Sequence, residues 1–267
     1  MLAAVVPARN EEKRLIKAID TLLNTPVDLI IPVLNGCTDN SPSYISRLKS
    51  PRVMPLYFIE PLGIDVPRAA GAKIAYDEGA AAILFLDGDM EGDISKNICE
   101  LLESVNSHRL DMSLTDCYPA TGKDGLSTLA SHLLEERRRL NREIGLEKKV
   151  GAASPSHGPH AVSRRFLNTV PLRELAIPPV SLALAAKNNL TIDIGTTIGH
   201  KYLGSPEKDE HHSRLIAETI IGDCIEAFCA FNNKKRGRIR GGIEYTGYHL
   251  ERRFDILDGF TAAPCLY

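Results

Sequence analysis

The sequence predicts an α/β protein, with a mostly parallel central sheet and helices on both faces. Two observations carry this expectation. Short apolar, β-branched runs alternate with helical patterns through the first 115 residues, and such runs are the strands of sheets covered on both sides. Polar turns stand where several of these runs end, which is the edge at which open α/β sheets collect ligands.

Taken in order, residues 3–6 form a first strand. Asn10 is expected to cap a helix whose Leu15, Ile16, Ile19, Leu22 and Leu23 share one stripe, with Pro26 beyond its end. Residues 29–34 make a second strand, 53–59 a third, 67–79 a helix opened by proline, and 82–86 a fourth strand. A helix over 94–107 and a strand over 112–115 follow. The pattern then loosens into a helix over 127–144, a polar loop over 151–160 and a proline-interrupted stretch to Pro179. A strand over 191–195 and a long helix over 207–231 come next, and the basic run 234–240 opens a tail that reads as an extension or arm.

Composition narrows the class. The 267 residues are 43% hydrophobic, with 32 Lys and Arg against 34 Asp and Glu, so the chain can bury a full core without disulfides or metal staples. A formal charge of −2 supplies no field for a polyanion, and the cluster Arg137, Arg138, Arg139 and Arg142 lacks interleaved aromatics. It reads as a solvated helix face, and no nucleic-acid role is expected. Six scattered cysteines form no CxxC pair, which places reduced thiols in a cytoplasm. The longest apolar run, 80–86, is far short of a spanning helix.

The most informative segment is Ile83-Leu84-Phe85-Leu86-Asp87-Gly88-Asp89, an apolar strand ending in two carboxylates. Paired acids on one turn make a hard-oxygen site for Mg²⁺ or Mn²⁺, whose coordination phosphate oxygens commonly complete. A nucleoside diphosphate is the natural partner, although Asp and Gly also favour such turns for local reasons. An EF-hand reading fails because Ile98 stands at the twelfth loop position. A haloacid-dehalogenase-type phosphatase with Asp87 as nucleophile is the alternative, against which stand Glu91 and the position of the acids on a fourth strand.

Two further constellations belong on the same edge: Pro7-Ala8-Arg9-Asn10-Glu11 after the first strand and Asn35-Gly36-Cys37-Thr38-Asp39 after the second. Gly63, Arg68 and Gly71 form a third. Amides and polar side chains at such turns can bind base and ribose, and an arginine can neutralise a diphosphate.

In this order the motifs resemble the family 2 glycosyltransferases with the GT-A nucleotide-sugar-binding fold. The loop Gly158-Pro159-His160-Ala161-Val162-Ser163-Arg164-Arg165 before a short helix, and the strand from Thr191 leading to His200, resemble more loosely the glucosyl-3-phosphoglycerate synthase branch. The resemblance implies a nucleotide-sugar-binding half over 1–115, an acceptor-binding half of the same domain over 116–205, and a C-terminal helix and extension over 206–267. It further implies donor contacts from Pro7, Ala8, Arg9, Asn10, Glu11, Asn35, Gly36, Gly63, Arg68, Asp87 and Gly88, with Asp89 and Arg68 catalytic. A divalent ion would be held by Asp89 and His200, with His211 and His212 as competing ligands. Gly158, His160, Arg164 and Arg165 would meet the acceptor, a hydroxyl compound that an acidic molecule such as phosphoglycerate would fit. UDP-sugars are favoured over GDP-sugars, although Leu34 and Asn35 replace the aspartates of many relatives. Residues 177–181 lack a carboxylate to serve as general base, and Glu174 is the nearest; a retaining reaction needs none. A homodimer and a non-catalytic nucleotide-sugar-binding paralogue are both compatible with these motifs.

Overall fold

The computed structural model describes residues 1–107, 109–119, 126–206 and 209–262. Seven strands form one sheet: β1 (Leu2–Ala8), β2 (Leu29–Asn35), β3 (Leu56–Phe58), β4 (Ala82–Phe85), β5 (Met112–Asp116), β6 (His160–Ser163) and β7 (Ile192–Thr197). Their spatial order is β3-β2-β1-β4-β6-β5-β7. All neighbours run parallel except β6, which is antiparallel to both β4 and β5.

Alternate strand residues feed opposite faces, as the pleat requires. Val5, Ile31 and Val33 point into one core with helices α3 (Val66–Asp77), α8 (Pro178–Lys187) and α9 (Glu210–Phe231). Ala4, Val6, Ile30 and Leu34 point into the other, with α1 (Leu15–Leu23), α2 (Ser41–Arg47) and α4 (Ser95–Asn106). Helices α5 (Thr128–Glu143), α6 (Glu147–Val150) and α7 (Arg164–Thr169) link β5 to β6 and continue past it. Gly71 faces the Val5 and Val33 side chains with no room for a Cβ, so this glycine lets α3 lie close on β1 and β2 and sets its N-terminus at the ligand edge.

Four local expectations are corrected. Helix α1 starts at Leu15 without a side-chain cap; Asn10 instead adopts a left-handed backbone (φ 58°), and its Oδ1 accepts from the Thr38 amide at 2.8 Å. The third strand shrinks to three residues plus an isolated bridge from Val53 to Ile30. Residues 160–163, expected in a loop, form the buried central strand β6, with Phe85 paired to His160 and Ala82 to Ser163. Finally, Arg137 in the supposedly solvated cluster is only 4% exposed.

The tail is no free arm. Arg236, Arg238 and Arg240 alternate along an extended segment and end on Glu174 and Glu226, on Asp223 and Glu226, and on Glu136 respectively. Strands β8 (Ile239–Arg240) and β9 (Ile243–Glu244) close a hairpin through Gly241 and Gly242, both at positive φ as a two-residue turn of this kind demands. The chain then crosses Leu62, whose carbonyl accepts from the Arg253 amide, and enters α10 (Phe254–Ala262), which packs against α3 with Phe260 edge-on to Phe58. No helix among the described residues is long and apolar enough to cross a membrane, and Cys37, Cys99, Cys117, Cys224 and Cys229 are free thiols.

Candidate active site

A cleft of about 440 Å³ opens at the carboxyl ends of β1, β2 and β4, and the N-terminus of α3, the outer turns of α9 and the tail form its other walls. Asp87, Gly88 and Asp89 leave β4 and reach this cleft. The Gly88 amide donates to the Pro7 carbonyl at 3.0 Å, so the acidic turn is fixed to the end of β1. The structure also brings Pro7, Ala8, Arg9, Glu11, Asn35, Gly63 and Arg68 to the same walls.

Electrostatics concentrate at Arg68, which is 6% exposed. Its Nη2 donates to Asp87 Oδ1 at 2.5 Å and its Nε to Asp65 Oδ1 at 3.1 Å. Burial opposes its charge, but Asp87 and Asp65 outweigh that and hold its pKa above the ordinary value. Asp87 is pushed up from the usual carboxylate range by burial and by the neighbouring Asp89 and Asp65, although Arg68 works against the shift. The cleft therefore carries more negative charge than its guanidinium offsets, and a hard cation beside Asp87 and Asp89 fits that donor set.

Sequence reading missed the second layer of this wall. Asp65, in a left-handed backbone at φ 61°, also accepts from Arg252 Nη2 at 3.0 Å. Arg252 in turn donates to both oxygens of Asp223, at 2.7 and 2.8 Å, and to the Ile64 carbonyl. The alternating chain Asp223–Arg252–Asp65–Arg68–Asp87 thus ties the tail to the acidic turn. One sequence signal was visible, the acid Asp223 within the apolar run 220–224 of α9. Asp223, Glu226 and His249 bring ligand atoms within 4.8 Å of one another, but Arg238 and Arg252 already occupy those acids, so guanidinium groups serve there as the counter-charge.

Other expected residues take different places. Asn10 and Gly36 are absent from the cleft walls: Asn10 braces the loop after β2, and Gly36 turns at φ 60° against Pro61. The Asn35 amide is bonded to Gly63 and Leu62 at 3.1 and 2.6 Å, so it holds that loop. His200 stands outside the walls, its ring stacked on Tyr118 and 5.0 Å from His157, and burial followed by Arg137 lowers its pKa. His212 lines the cleft with Asp89, and its Nδ1 lies 2.7 Å from the Tyr248 hydroxyl.

None of the four expected acceptor residues lines the donor cleft. Because β6 runs antiparallel to β4, Arg164 and Arg165, which follow it at the start of α7, emerge at the sheet edge opposite the acids. Arg164 lies over the Tyr76 ring and donates to the Tyr76 carbonyl, and Arg165 pairs with Asp111. His160 is buried against Phe85, with its pKa lowered to about 3 by burial and by Arg68. Gly158 turns at φ 76° against Cys117 at the end of β5.

A sheet of this order, with one inserted antiparallel strand and paired acids at the end of β4, defines a nucleotide-diphospho-sugar transferase of the GT-A class. The chain belongs to glycosyl transferase family 2, whose profile matches residues 3–170. Among solved structures it is similar to the glucosyl-3-phosphoglycerate synthase of Mycobacterium tuberculosis at 14% identity, TM-score 0.61, over 94% of this chain and 92% of that one. The same enzyme in complex with Mn²⁺, UDP and glucosyl-3-phosphoglycerate matches at 16% identity, TM-score 0.58, over 84% and 80%. Its complex with Mn²⁺, UDP-glucose and phosphoglyceric acid matches at 18%, TM-score 0.54, over 84% and 79%. A comparison with curated protein sequences found no match. The phosphatase alternative has no support from the family or the fold.

Proposed function

We propose that this glycosyltransferase moves a sugar from a UDP-sugar to a small hydroxyl acceptor in the cleft after β4. The observation that carries the reading is the convergence of Asp87, Asp89, Arg68 and the end of β1 on one cavity. The synthases similar in fold bind UDP with Mn²⁺ or Mg²⁺, which supports the same donor and ions here. A bound divalent cation would supply charge neutralisation for the diphosphate as it leaves. Asp89 would hold it together with a histidine, and His212, on the same cleft wall, is preferred to His200. Arg68 adds a fixed positive charge where negative charge develops, and Asp87 orients that guanidinium. In the transfer the bond from the anomeric carbon to the diphosphate oxygen breaks and the acceptor oxygen bonds to that carbon. With no carboxylate in residues 177–181, the hydroxyl proton passes to the departing diphosphate, as a retaining reaction allows.

Asp89→Ala is expected to lower metal-stimulated turnover of the donor by at least 10²-fold with an unchanged circular dichroism spectrum. Full activity would refute the site. A thermal-shift screen of UDP-, GDP- and ADP-sugars with Mn²⁺ identifies the donor. Metal titration of His212→Ala and His200→Ala identifies the histidine, and metal-dependent donor binding without turnover would mark a non-catalytic paralogue.

A further inference from the structure

A second cavity of about 290 Å³ adjoins the donor cleft, and the two share Ser156, His212, Ile216 and Ile220 as walls. Arg137 and His157 line it. Arg137 is 4% exposed, its Nε has no hydrogen-bond partner, and among the described residues no carboxylate pairs with it. His157 Nε2 is also buried without a partner. Burial lowers the Arg137 pKa, and burial together with Arg137 and His200 keeps the His157 ring neutral. A buried cation without an anion is costly. The other buried arginines, Arg68, Arg238 and Arg252, all end on carboxylates, so Arg137 stands apart.

We propose that this cavity is the acceptor subsite, and that Arg137 selects a small hydroxyl compound carrying a carboxylate or phosphate. The inference rests on the glycosyl-transfer reading. Three features support it. A guanidinium offers paired donors to an oxyanion, and the arriving anion would supply the missing counter-charge. The shared walls put a bound acceptor next to the donor. The cavity has room for a small molecule, and Tyr118, Ser127, Ser156 and Ser213 on its walls add hydroxyl groups beside Arg137 and His157 to orient it.

The test is calorimetric titration of the full chain with inorganic phosphate, glycerate and glycerol, with and without UDP and Mn²⁺. Phosphate and glycerate are expected to bind at least tenfold more tightly than glycerol. Arg137→Met should erase that preference, leave UDP affinity within twofold and raise the melting temperature, because it removes an unpaired buried charge. Arg137→Gln, which keeps a polar end, is the second variant should Met fail to fold. An anion preference retained by both variants, or missing in the parent, overturns the proposal. Arg137-dependent anion binding in a protein that takes no UDP-sugar with any divalent ion would leave the oxyanion site standing and sink the transfer reading instead.

Discussion

Arg252 and Arg137 are both buried arginines, and their surroundings differ completely. Arg252, with no exposed side-chain surface, reaches Asp223 and Asp65 and belongs to an alternating series of charges. Arg137 lies one cavity away among thiols, rings and aliphatic side chains, with no acid acting on it. Buried charge is tolerated when partners meet it. The Arg252 layer behind the donor cleft therefore meets its own charges and is suited to hold a fixed geometry before substrate arrives, whereas the Arg137 cavity is left to be completed by a ligand. That difference suggests a division of labour: one wall positions, the other selects.

The largest expected effect breaks the first half of that comparison. Arg252→Met should destabilise the protein by about 3–5 kcal/mol, the cost of stranding Asp223 and Asp65 without their cation, as read by denaturant unfolding. Because it also releases Asp65 from one partner, donor KM should rise in the surviving folded fraction. A stability change of the same sign as in Arg137→Met would mean that the two arginines are not opposites.

A middle-sized effect sharpens the second half. His160, neutral in the fold with its pKa near 3, is protonated in the unfolded chain below about 6.5. The unfolded state thus binds more protons between those values, so this contribution to stability is complete above pH 6.5 and falls by about 1.4 kcal/mol per unit as pH drops toward 3. His157, shifted in the same direction, adds to the slope. Melting temperatures from pH 7 to 4 should decline less steeply in His160→Phe, and an identical decline would show that the ring is not a buried neutral base.

The smallest effect concerns Arg164. Its guanidinium serves the Tyr76 and Ala80 carbonyls at the far sheet edge, so Arg164→Ala should cost about 1 kcal/mol of stability and leave donor and acceptor KM within twofold. A large rise in acceptor KM would restore the sequence-based assignment.

Which parts were legible follows from the range of the interactions involved. The strands β1, β2 and β4, the helix at Pro67 and the acids Asp87 and Asp89 declare themselves within a few residues, because apolar runs and their terminal turns are local patterns. Arg68 was readable as a cleft residue for the same reason. Residues 160–163 were not, since four residues after a polar loop carry no period long enough to mark a strand, and only pairing with Phe85 and Ala82 makes them one. The tail arginines were legible as charge but not as structure, because Asp223 and Asp65 lie 29 and 187 positions from Arg252.

Sequence alone thus determined the α/β class, the ligand edge and the paired acids, all of which arise from patterns repeated or completed within one strand-turn-helix unit. Tertiary structure decided which basic residues face a carboxylate, which face an empty wall, and which leave at the wrong edge. Arg137, Arg164 and Arg252 are the same residue type in comparable polar sequence, and their roles separate only when distant segments fix how much water and how many counter-charges each one keeps.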